Sequence, residues 1–525
     1  MSSTTEQLPI PPAKQKVIPD PIPGMSQSQT VFLRTLEQLG PNRSRLDLDR
    51  IPGPAPHPLL GWIGNGLRFY RDPISYVHML KSSGYGEVVS FSRGLKRGLV
   101  LPSDQCPGVI FAFGAENHRK TLINDDVFEG GVLSAPQGLG DASRLSVSLP
   151  WMAGYKHRQQ RRLIFPSYHQ KMVNDYRDVM VRVINRMLDR FQIGEPVAMM
   201  RESVHMFGEF ECAMVLGIGD NPTGEWADLW ERYYDFFLAF STPWAHIPIN
   251  LPFTTRRKVI TQGKRIFSDF EKLVEMKQKG NADGIDLISV LVRGRYEDGT
   301  TLTQEELVAE SAQLFVSGWA TTRGPIAWIT FLLAQHPDIA ADLHDEVTSV
   351  LHGDAPTMEQ LKQMPLLDAV VKEALRLLPP IHFVTRVPQQ PVELGGYEIP
   401  AMTECYSSLY ETHREPDVFP EPARFNPKRW ETAKPGPYGY LPYGIGERSC
   451  IGIALANMQL RMFFAMLIQR YRMDVPRNNL KVNHSGILLL PTPDLKMIAR
   501  KQDREFKKSQ APVRGNITRS VHLPV

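Results

Sequence analysis

The chain has 525 residues, of which 42% are hydrophobic, 22% are charged and 9% are aromatic, and its formal net charge is +4. This composition is typical of globular proteins with a large core and excludes disordered, collagen-like and coiled-coil chains. The balanced charge also argues against a protein that neutralises a nucleic acid backbone, which needs a concentrated basic face. The chain shows no internal repeat, so we expect one large globule.

Both ends of the chain differ from the rest. Eleven of the 43 prolines lie in the first 58 residues, where fixed φ and missing N–H donors prevent regular helix. Residues 1–48 are therefore predicted to form a proline-rich arm. Residues 500–525 carry seven Lys and Arg against two Asp and Glu. We expect residues 501–525 to be a solvated basic tail and residues 49–500 to be the main domain.

The cysteine content and the apolar runs indicate the cellular setting. Four cysteines without a close Cys-x-x-Cys pair form neither a disulfide framework nor a zinc site, which fits a reducing compartment. The first 25 residues lack the apolar stretch of a signal peptide, and no run approaches the 18 to 20 apolar residues of a spanning helix. A soluble, cytoplasmic protein is expected, with peripheral membrane contact left open.

Taken in chain order, the predicted elements are mostly helices. Short strands are expected at 88–91 and around 98–101, between Gly, Ser and Pro residues. Apolar residues at three- and four-residue spacings predict helices over about 155–375. Short strands return around 392–408 and 487–499. A final helix over about Ile453–Arg470 is apolar on most of its surface, so it belongs in the core. The expected fold class is mainly α with a minor β-sheet.

Two polar pairs lie on predicted helices. His157 and Arg161 are four residues apart, so both can donate to carboxylates from one helix face. The alternative is a solvated basic face that also includes Arg158. Glu373 and Arg376 are three residues apart and can pair on one face. Such pairs are also common on protein surfaces.

The segment Tyr443–Gly452 places Cys450 between glycines at the N-terminus of the last predicted helix. A helix N-terminus favours an anion, so it should lower the pKa of the thiol and stabilise a metal-bound thiolate. Glycines such as Gly446 let the backbone pass close to a flat cofactor. The alternative is a buried structural cysteine in a glycine-rich turn.

This segment resembles the haem-binding loop of the cytochrome P-450 family, whose pattern is F-x-x-G-x-R-x-C-x-G. Gly446, Arg448, Cys450 and Gly452 match the pattern, and Tyr443 replaces its Phe. The pair at 373 and 376 matches the family's E-x-x-R helix, and 425–430 is similar to its F-x-P-x-R-F/W segment. The resemblance implies a cytochrome P-450 fold, with haem b between a long distal helix and the cysteine-loop helix.

The resemblance also assigns roles to residues around the haem. Cys450 would ligate the iron, with the Tyr443 ring shielding the thiolate side. The haem propionates would be bound by a set of cationic or donor residues, namely His157, Arg161, Arg386 and Arg448. Arg429, rather than Arg424, would join Glu373 and Arg376 in a buried structural charge triad.

The stretch 314–322 looks like the family helix that crosses the distal haem face. Gly318 would leave room for dioxygen, and the Thr321 hydroxyl would hydrogen-bond dioxygen or a water. Alternatively, this hydroxyl bonds only to the preceding helical turn. Ala320 stands where the family usually has an acidic residue. An ordinary hydroxylase with another proton relay, a peroxygenase and a rearranging enzyme therefore compete, and the retained Thr321 favours monooxygenation. A non-catalytic haem sensor or carrier is the alternative of a different class.

By the same resemblance, a largely apolar pocket is expected between the loop 128–148, the aromatic-rich segment 233–253, the distal helix, the strand 381–384 and the turn 486–489. A hydrophobic substrate such as a lipid or terpenoid follows. The pocket candidates are Ser317, Ile381, His382, Val384 and Ile487. His382 would either orient a polar substrate group or be a satisfied structural histidine.

No flavin or nicotinamide fingerprint follows the cysteine loop. The G-x-G sequence at Gly217-Ile218-Gly219, before the loop, lacks the third glycine and a preceding strand. Electrons are therefore expected from a separate ferredoxin, flavodoxin or reductase that docks near Cys450, with help from Lys428 and Lys434. The other expected partners are O2 and a hydrophobic small molecule, and no nucleic acid partner is expected.

Overall fold

The computed structural model describes residues 47–524 except 97, 100–105, 131–137, 248, 281, 477, 480, 486, 493–494 and 508–512. The predicted arm at 1–48 thus lies almost entirely outside the described residues. Helices dominate the rest. They are α1 Trp62–Arg71, α2 Pro73–Ser82, α3 Ala115–Leu122, α4 Gly154–Ile164, α5 Gln170–Asp175, α6 Arg177–Asp189, α7 Met199–Met214, α8 Leu229–Phe240, α9 Pro243–His246, α10 Thr255–Lys279, α11 Leu287–Arg293, α12 Gln304–Ala320, α13 Arg323–Gln335, α14 Pro337–Leu351, α15 Met358–Leu361, α16 Pro365–Leu377, α17 Leu409–Thr412, α18 Ile453–Arg470 and α19 Ile517–Ser520.

The strands are short. They are β1 Val88–Ser90, β2 Val109–Ala112, β3 Phe128–Gly130, β4 Pro196–Ala198, β5 Phe383–Pro388, β6 Val392–Leu394, β7 Tyr397–Ile399, β8 Glu404–Ser408, β9 Tyr471–Asp474, β10 Asn478–Asn479, β11 Lys481–Ser485, β12 Leu488–Thr492, β13 Lys496–Lys501 and β14 Val513–Arg514. Five of them form a mixed sheet in the order β1-β2-β8-β5-β3. Its edge pairs Gly130 of β3 with Arg386 of β5, which brings a buried arginine to the site described below.

The predicted mainly α fold with minor sheets is confirmed, and the last helix has the predicted bounds Ile453–Arg470. One strand prediction is wrong. Gly98 and Leu99 form no strand, and Val100 and Leu101 lie outside the described residues. The strand that pairs with β1 is β2, whose Val109–Ala112 run is buried throughout.

The long distal helix that the family resemblance implies is interrupted. Helix α12 begins with a capping box, in which the Thr303 hydroxyl accepts from the Glu306 N–H at 3.2 Å and the Glu306 carboxylate accepts from the Thr303 N–H at 2.8 Å. It ends at Ala320, and α13 begins two residues after Thr321. Pro325 explains the break, because a proline lacks an N–H for the carbonyl four residues earlier and its ring crowds that carbonyl.

Helices α7, α12, α13, α16 and α18 form the centre of the largest hydrophobic cluster. Helix α7 packs against both α12 and α13, and it is buried on most of its surface. Helix α18 is equally buried and begins directly behind the Cys450 loop. Within the described part of the chain, no helix is long and apolar enough to cross a bilayer.

The predicted solvated C-terminal tail is wrong for the part that the structure describes. Ile517 and Val521 are fully buried, and the Arg414 guanidinium donates to the Ser520 carbonyl at 3.1 Å. The Asn516 side chain bonds both the N–H and the carbonyl of Val482 in β11. Apolar positions within a basic stretch therefore fasten residues 513–524 to the main body.

Candidate active site around Cys450

The Cys450 loop is shaped by two glycines with positive φ. Gly444 has φ 68° and Gly446 has φ 79°, a region that other residues rarely adopt. The Cys450 N–H donates to the Tyr443 carbonyl at 2.8 Å, which closes the loop. Gly452 precedes the first residue of α18. The loop thus presents the Cys450 side chain, which is exposed, at the N-terminus of a buried helix.

The pKa of the Cys450 thiol is raised, not lowered as the helix N-terminus alone predicts. Desolvation is the largest cause: although Cys450 has accessible surface, protein surrounds the thiol on most sides. A hydrogen bond from the Gly452 backbone and the charge of Arg161 lower the pKa, but they do not outweigh desolvation. Two groups thus favour a thiolate at Cys450, and desolvation opposes it.

The loop glycines serve packing more than predicted. A β-carbon on Gly446 would lie 2.5 Å from the Leu122 carbonyl oxygen, so this glycine allows the loop to approach α3. A β-carbon on Gly452 would lie 3.8 Å from the Cys450 sulfur and 3.8 Å from the Tyr168 ring. Gly452 thus borders the thiol, whereas the contact at Gly446 is with protein backbone.

Tyr443, which stands where the family has Phe, uses its hydroxyl in a hydrogen bond. The hydroxyl donates to Asn457 Oδ1 on α18 at 3.1 Å. Burial raises the pKa of Tyr443, so the group stays a neutral phenol. The replacement of the family's Phe is therefore accommodated by one added hydrogen bond between the loop and α18.

Four cationic or donor side chains gather beside the loop. His157 and Arg161 lie on α4, Arg386 on β5 and Arg448 in the loop itself. Burial first, and then the charges of Arg448 and Arg161, lower the pKa of His157 to about 3. Arg161 donates to the Ser449 hydroxyl at 3.2 Å, and Arg448 donates to the Met152 carbonyl at 2.6 Å.

This cation group has donor capacity left over. Arg386 is 6% exposed, and its Nε has no hydrogen-bond partner among the described residues. Burial and, second, the nearby Arg448 lower the pKa of Arg386 to about 10, whereas Asp125 raises it. Buried guanidinium groups normally bind carboxylates or phosphates. The group therefore fits an anionic ligand that carries carboxylates, as haem does.

The residues of the predicted charge triad lie in contact. Glu373 accepts from Arg376 on α16 and from Arg429, with ion-pair distances of 2.9 Å to each. The Trp430 ring N–H also donates to Glu373 at 3.1 Å, a contact that the sequence did not indicate. Arg424 contributes only its backbone carbonyl, since its exposed side chain pairs with Glu421.

A polar strip runs along α12. Ser317 is exposed, and Gln313 and Thr321, one turn away on either side, are partly exposed, although Val316 and Trp319 beside them are buried. The Gln313 amide donates to the Ser317 hydroxyl at 2.9 Å, and the Thr321 hydroxyl donates to the Ser317 carbonyl at 3.1 Å. The bond to the preceding turn, left open by the sequence, is therefore present.

Gly318 lies against a side chain of α7. A β-carbon on Gly318 would overlap the Glu211 carboxylate, which reaches across from α7. The space on the β-carbon side of this glycine is thus filled by an acid. Ala320 is 4% exposed and carries no polar group, as its sequence position indicated.

Comparison with known proteins identifies the family. The family model for cytochrome P-450 matches residues 143–499, about two thirds of the chain. The chain belongs to the cytochrome P-450 family. The family implies a haem cofactor, and its residues here fit that group: Cys450 to hold the iron and the cation group to hold the propionates.

Two of the relatives of this P-450 are named oxygenases of Streptomyces. It is 29% identical over 420 residues to cyclooctat-9-en-7-ol 5-monooxygenase of Streptomyces melanosporofaciens, which covers 78% of this chain and 87% of the relative. It is 25% identical over 426 residues to pentalenene oxygenase of Streptomyces avermitilis, which covers 79% and 89%. The enzyme class, a cytochrome P-450 monooxygenase, agrees with the sequence-based prediction.

The fold of this P-450 is also found in solved structures. The structure of retinoic acid-bound cyanobacterial CYP120A1 superposes with a TM-score of 0.73 at 23% sequence identity, covering 86% of this chain and 99% of the other. This similarity supports the fold rather than any particular substrate.

Of the pocket candidates in this P-450, Ile381, Val384 and Ile487 are partly exposed and apolar. His382 is 2% exposed, and its Nδ1 lies 2.8 Å from the Ile487 carbonyl. His382 therefore joins the segment before β5 to the turn before β12, as a structural histidine does. Gly486 and residues 131–137 of the predicted pocket walls lie outside the described residues.

The aromatic-rich segment 233–253 does not act as one wall. Tyr233, Phe236 and Phe240 are buried in the core of α8, whereas Trp244 and Phe253 are exposed by 68% and 105%. The two exposed aromatic residues follow α8, where Pro243 begins a separate short helix. Sequence composition did not distinguish these two halves.

Proposed function

We propose that this P-450 holds haem b through Cys450 and inserts one oxygen atom of O2 into an apolar small molecule, using electrons from a separate protein. The observation that carries the proposal is the accessible Cys450 thiol beside the cation group His157, Arg161, Arg386 and Arg448. A thiol that can bind metal and spare guanidinium donors together match the central iron and the propionate edge of a haem.

When bound, haem supplies a thiolate-ligated iron that activates O2. The protein's part begins with the ligand. The Gly452 backbone and Arg161 both lower the pKa of Cys450 and so favour the thiolate that coordinates metal. Arg386 and Arg448 would offer N–H donors to the two propionates.

Thr321 is proposed to handle protons on the distal side. Its hydroxyl hydrogen is used in the bond to the Ser317 carbonyl, so its oxygen is left as an acceptor. An acceptor on the accessible strip of α12 can hold a water molecule or another proton donor. Ser317 and Gln313 extend the strip, and they compensate in part for the acid that Ala320 replaces.

The substrate is proposed to be a hydrophobic small molecule of terpenoid type. The partly exposed Ile381, Val384 and Ile487 provide apolar surface, and the named relatives act on cyclooctat-9-en-7-ol and pentalenene. A ring hydrocarbon gains binding free energy from such surface in proportion to the apolar area it buries.

The electron donor is proposed to be a separate ferredoxin, flavodoxin or reductase. Lys434 is exposed, and Lys428 forms only a long, exposed ion pair of 3.7 Å with Asp342. Both lysines thus remain accessible to an acidic partner. If they contribute to docking, the rate of reduction falls as ionic strength rises and after reversal of both charges.

The experiment that tests the function is turnover under isotopically labelled O2. The haem-loaded protein is supplied with a bacterial ferredoxin, its reductase, NADPH and a set of cyclic terpenes and terpene alcohols. We expect products that carry one labelled oxygen atom. Products formed only with added peroxide would indicate a peroxygenase, unlabelled isomers would indicate a rearranging enzyme, and ligand exchange without product would indicate a sensor. Each of these three results contradicts the proposal.

A further inference from the structure

A buried acid from α7 lies against the glycine of the distal helix. Glu211 is fully buried, and its carboxylate occupies the position that a β-carbon on Gly318 would take. An alanine at position 318 would therefore require the buried Glu211 side chain to move. The contact joins α7 to the segment of α12 that carries Ser317 and Thr321.

The surroundings of Glu211 are uncharged. Gln459 of α18 approaches the carboxyl, and Tyr168, Tyr176 and Cys212 are the other titratable groups that interact with it. No Lys, Arg or His in the described part of the chain contributes to its charge environment. Burial raises the pKa of Glu211 to about 8, so the group is neutral at pH 7.

The backbone of α12 that lies against Glu211 accepts hydrogen bonds from two threonine hydroxyls. The Thr321 hydroxyl donates to the Ser317 carbonyl, and the Thr322 hydroxyl donates to the Gly318 carbonyl at 2.7 Å. A shift of Gly318 therefore moves both hydroxyls. The helix also ends at Ala320, so this turn lacks the support of a continuous helix.

We propose that Glu211 is a positioning residue for the distal strip, because its uncharged carboxyl fills the space at Gly318 and holds the turn that carries Ser317 and Thr321. An acid on α7 thus contacts this segment, although Ala320 occupies the α12 position at which the family usually has an acidic residue. Loss of its proton would place an unpaired charge against the helix in a desolvated site and displace the turn. The effect on oxygen handling rests on the proposed function, whereas the contact does not.

A size exchange tests the contact. Gly318→Ala in the haem-loaded protein should lower the melting temperature by about 1–3 °C, because the added methyl group displaces the Glu211 side chain and strains the turn. Added to Glu211→Ala, the same change should cost much less, because the space has been freed. Gly208→Ala is the matched control on α7, since its β-carbon would lie 2.7 Å from Trp230, and it should cost the same in both backgrounds. Equal costs of Gly318→Ala in both backgrounds would overturn the contact.

A pH titration tests the positioning role. We expect the ferric absorption spectrum of the haem-loaded wild type to change with a midpoint near pH 8, and Glu211→Gln to abolish this transition. Glu310→Gln is the control. Glu310 is also a buried acid, with a pKa of about 7, but it lies on α12 and accepts from the Leu149 N–H. It should leave the transition near pH 8 in place. An unchanged midpoint in Glu211→Gln would overturn the role.

Failure of the proposed function is distinguishable from failure of this inference. If Cys450 does not ligate iron, the CO complex of the reduced protein lacks the thiolate spectrum. The size exchange between residues 318 and 211 would still succeed in that case, because it depends only on packing.

Discussion

The Cys450 loop and the α12–α13 junction are the two halves of the candidate site, and they differ in how the chain builds them. The loop comes from one continuous segment that matches its family at Gly446, Arg448, Cys450 and Gly452. The junction departs from the family at Ala320 and depends on Glu211, more than a hundred residues earlier. Contiguous parts of a site are therefore visible in the sequence, whereas parts supplied by packing are not.

The two regions also differ in charge. On the loop side, Arg161, Arg386 and Arg448 lie near His157, and their charges help to lower its pKa. This arrangement favours binding of an anion. The junction side carries hydroxyls and a buried acid with a raised pKa, and no described cation contributes to the charge environment of that acid. An anionic ligand is expected to change the first region far more than the second.

The largest effect is expected in the triad that supports the loop side. Glu373→Ala leaves Arg376 and Arg429 buried without their carboxylate, so the free energy of unfolding should fall by about 3–5 kcal/mol. Chemical denaturation of the haem-loaded protein measures this loss. Arg424→Ala is the control, because that side chain is exposed, and it should change the value by less than about 0.5 kcal/mol. Similar losses in both variants would remove the distinction between the triad and a surface pair.

The next largest effect is the pH dependence of stability that Glu211 gives to the junction side. In the folded protein the pKa of Glu211 is about 8, above its ordinary value of 4.5, so the folded state retains a proton that the unfolded state releases. As pH rises from about 5 to about 8, the free energy of unfolding of the wild type should therefore fall by about 1.4 kcal/mol for each pH unit, relative to Glu211→Gln. Denaturation at several pH values measures the difference. Parallel profiles would contradict the raised pKa.

A smaller effect is expected for haem retention on the loop side. Arg386→Met removes a buried donor from the cation group, and haem should be lost about ten times faster, as measured by transfer to apomyoglobin. Arg158→Met is the matched control on α4, because its side chain makes only long contacts of 3.7 and 3.9 Å to Glu447 and Asp126. A loss rate that changes equally in both variants would show that overall positive charge matters, not this position.

The smallest effect is expected where the loop itself departs from the family. Tyr443→Phe removes one hydrogen bond to Asn457, so the unfolding free energy should fall by about 1 kcal/mol. The spectrum of the reduced CO complex should not change, because the hydroxyl points to α18 and not to the sulfur. A shifted spectrum would show that the hydroxyl affects the thiolate after all.

Sequence reasoning located the residues whose spacing is local. The bounds of α18, the pair Glu373 and Arg376, and the pair His157 and Arg161 follow from helical periodicity and a short motif. Arg429 required the family resemblance, because it lies 53 residues beyond Arg376. The fold class was predictable because apolar residues recur at three- and four-residue spacings through the middle of the chain, which indicates helices.

Other features could not be predicted because they depend on tertiary packing. Nothing in the α7 sequence shows that Glu211 faces Gly318, since helices are brought together by the whole core. The break at Thr321 had a local signal in Pro325, four residues later, which the family resemblance obscured. The raised pKa of Cys450 reflects desolvation, which a helix-end argument does not include.

The visible spectrum of the dithionite-reduced protein with carbon monoxide tests the central claim, thiolate ligation of haem by Cys450, most directly. The wild type and Cys450→Ser are loaded with haem and measured together, with Cys405→Ser as a control for a buried cysteine outside the site. We predict a strongly red-shifted Soret band in the wild type and in Cys405→Ser, and its loss in Cys450→Ser. An unshifted band in the wild type, or a red-shifted band that persists in Cys450→Ser, would contradict the account.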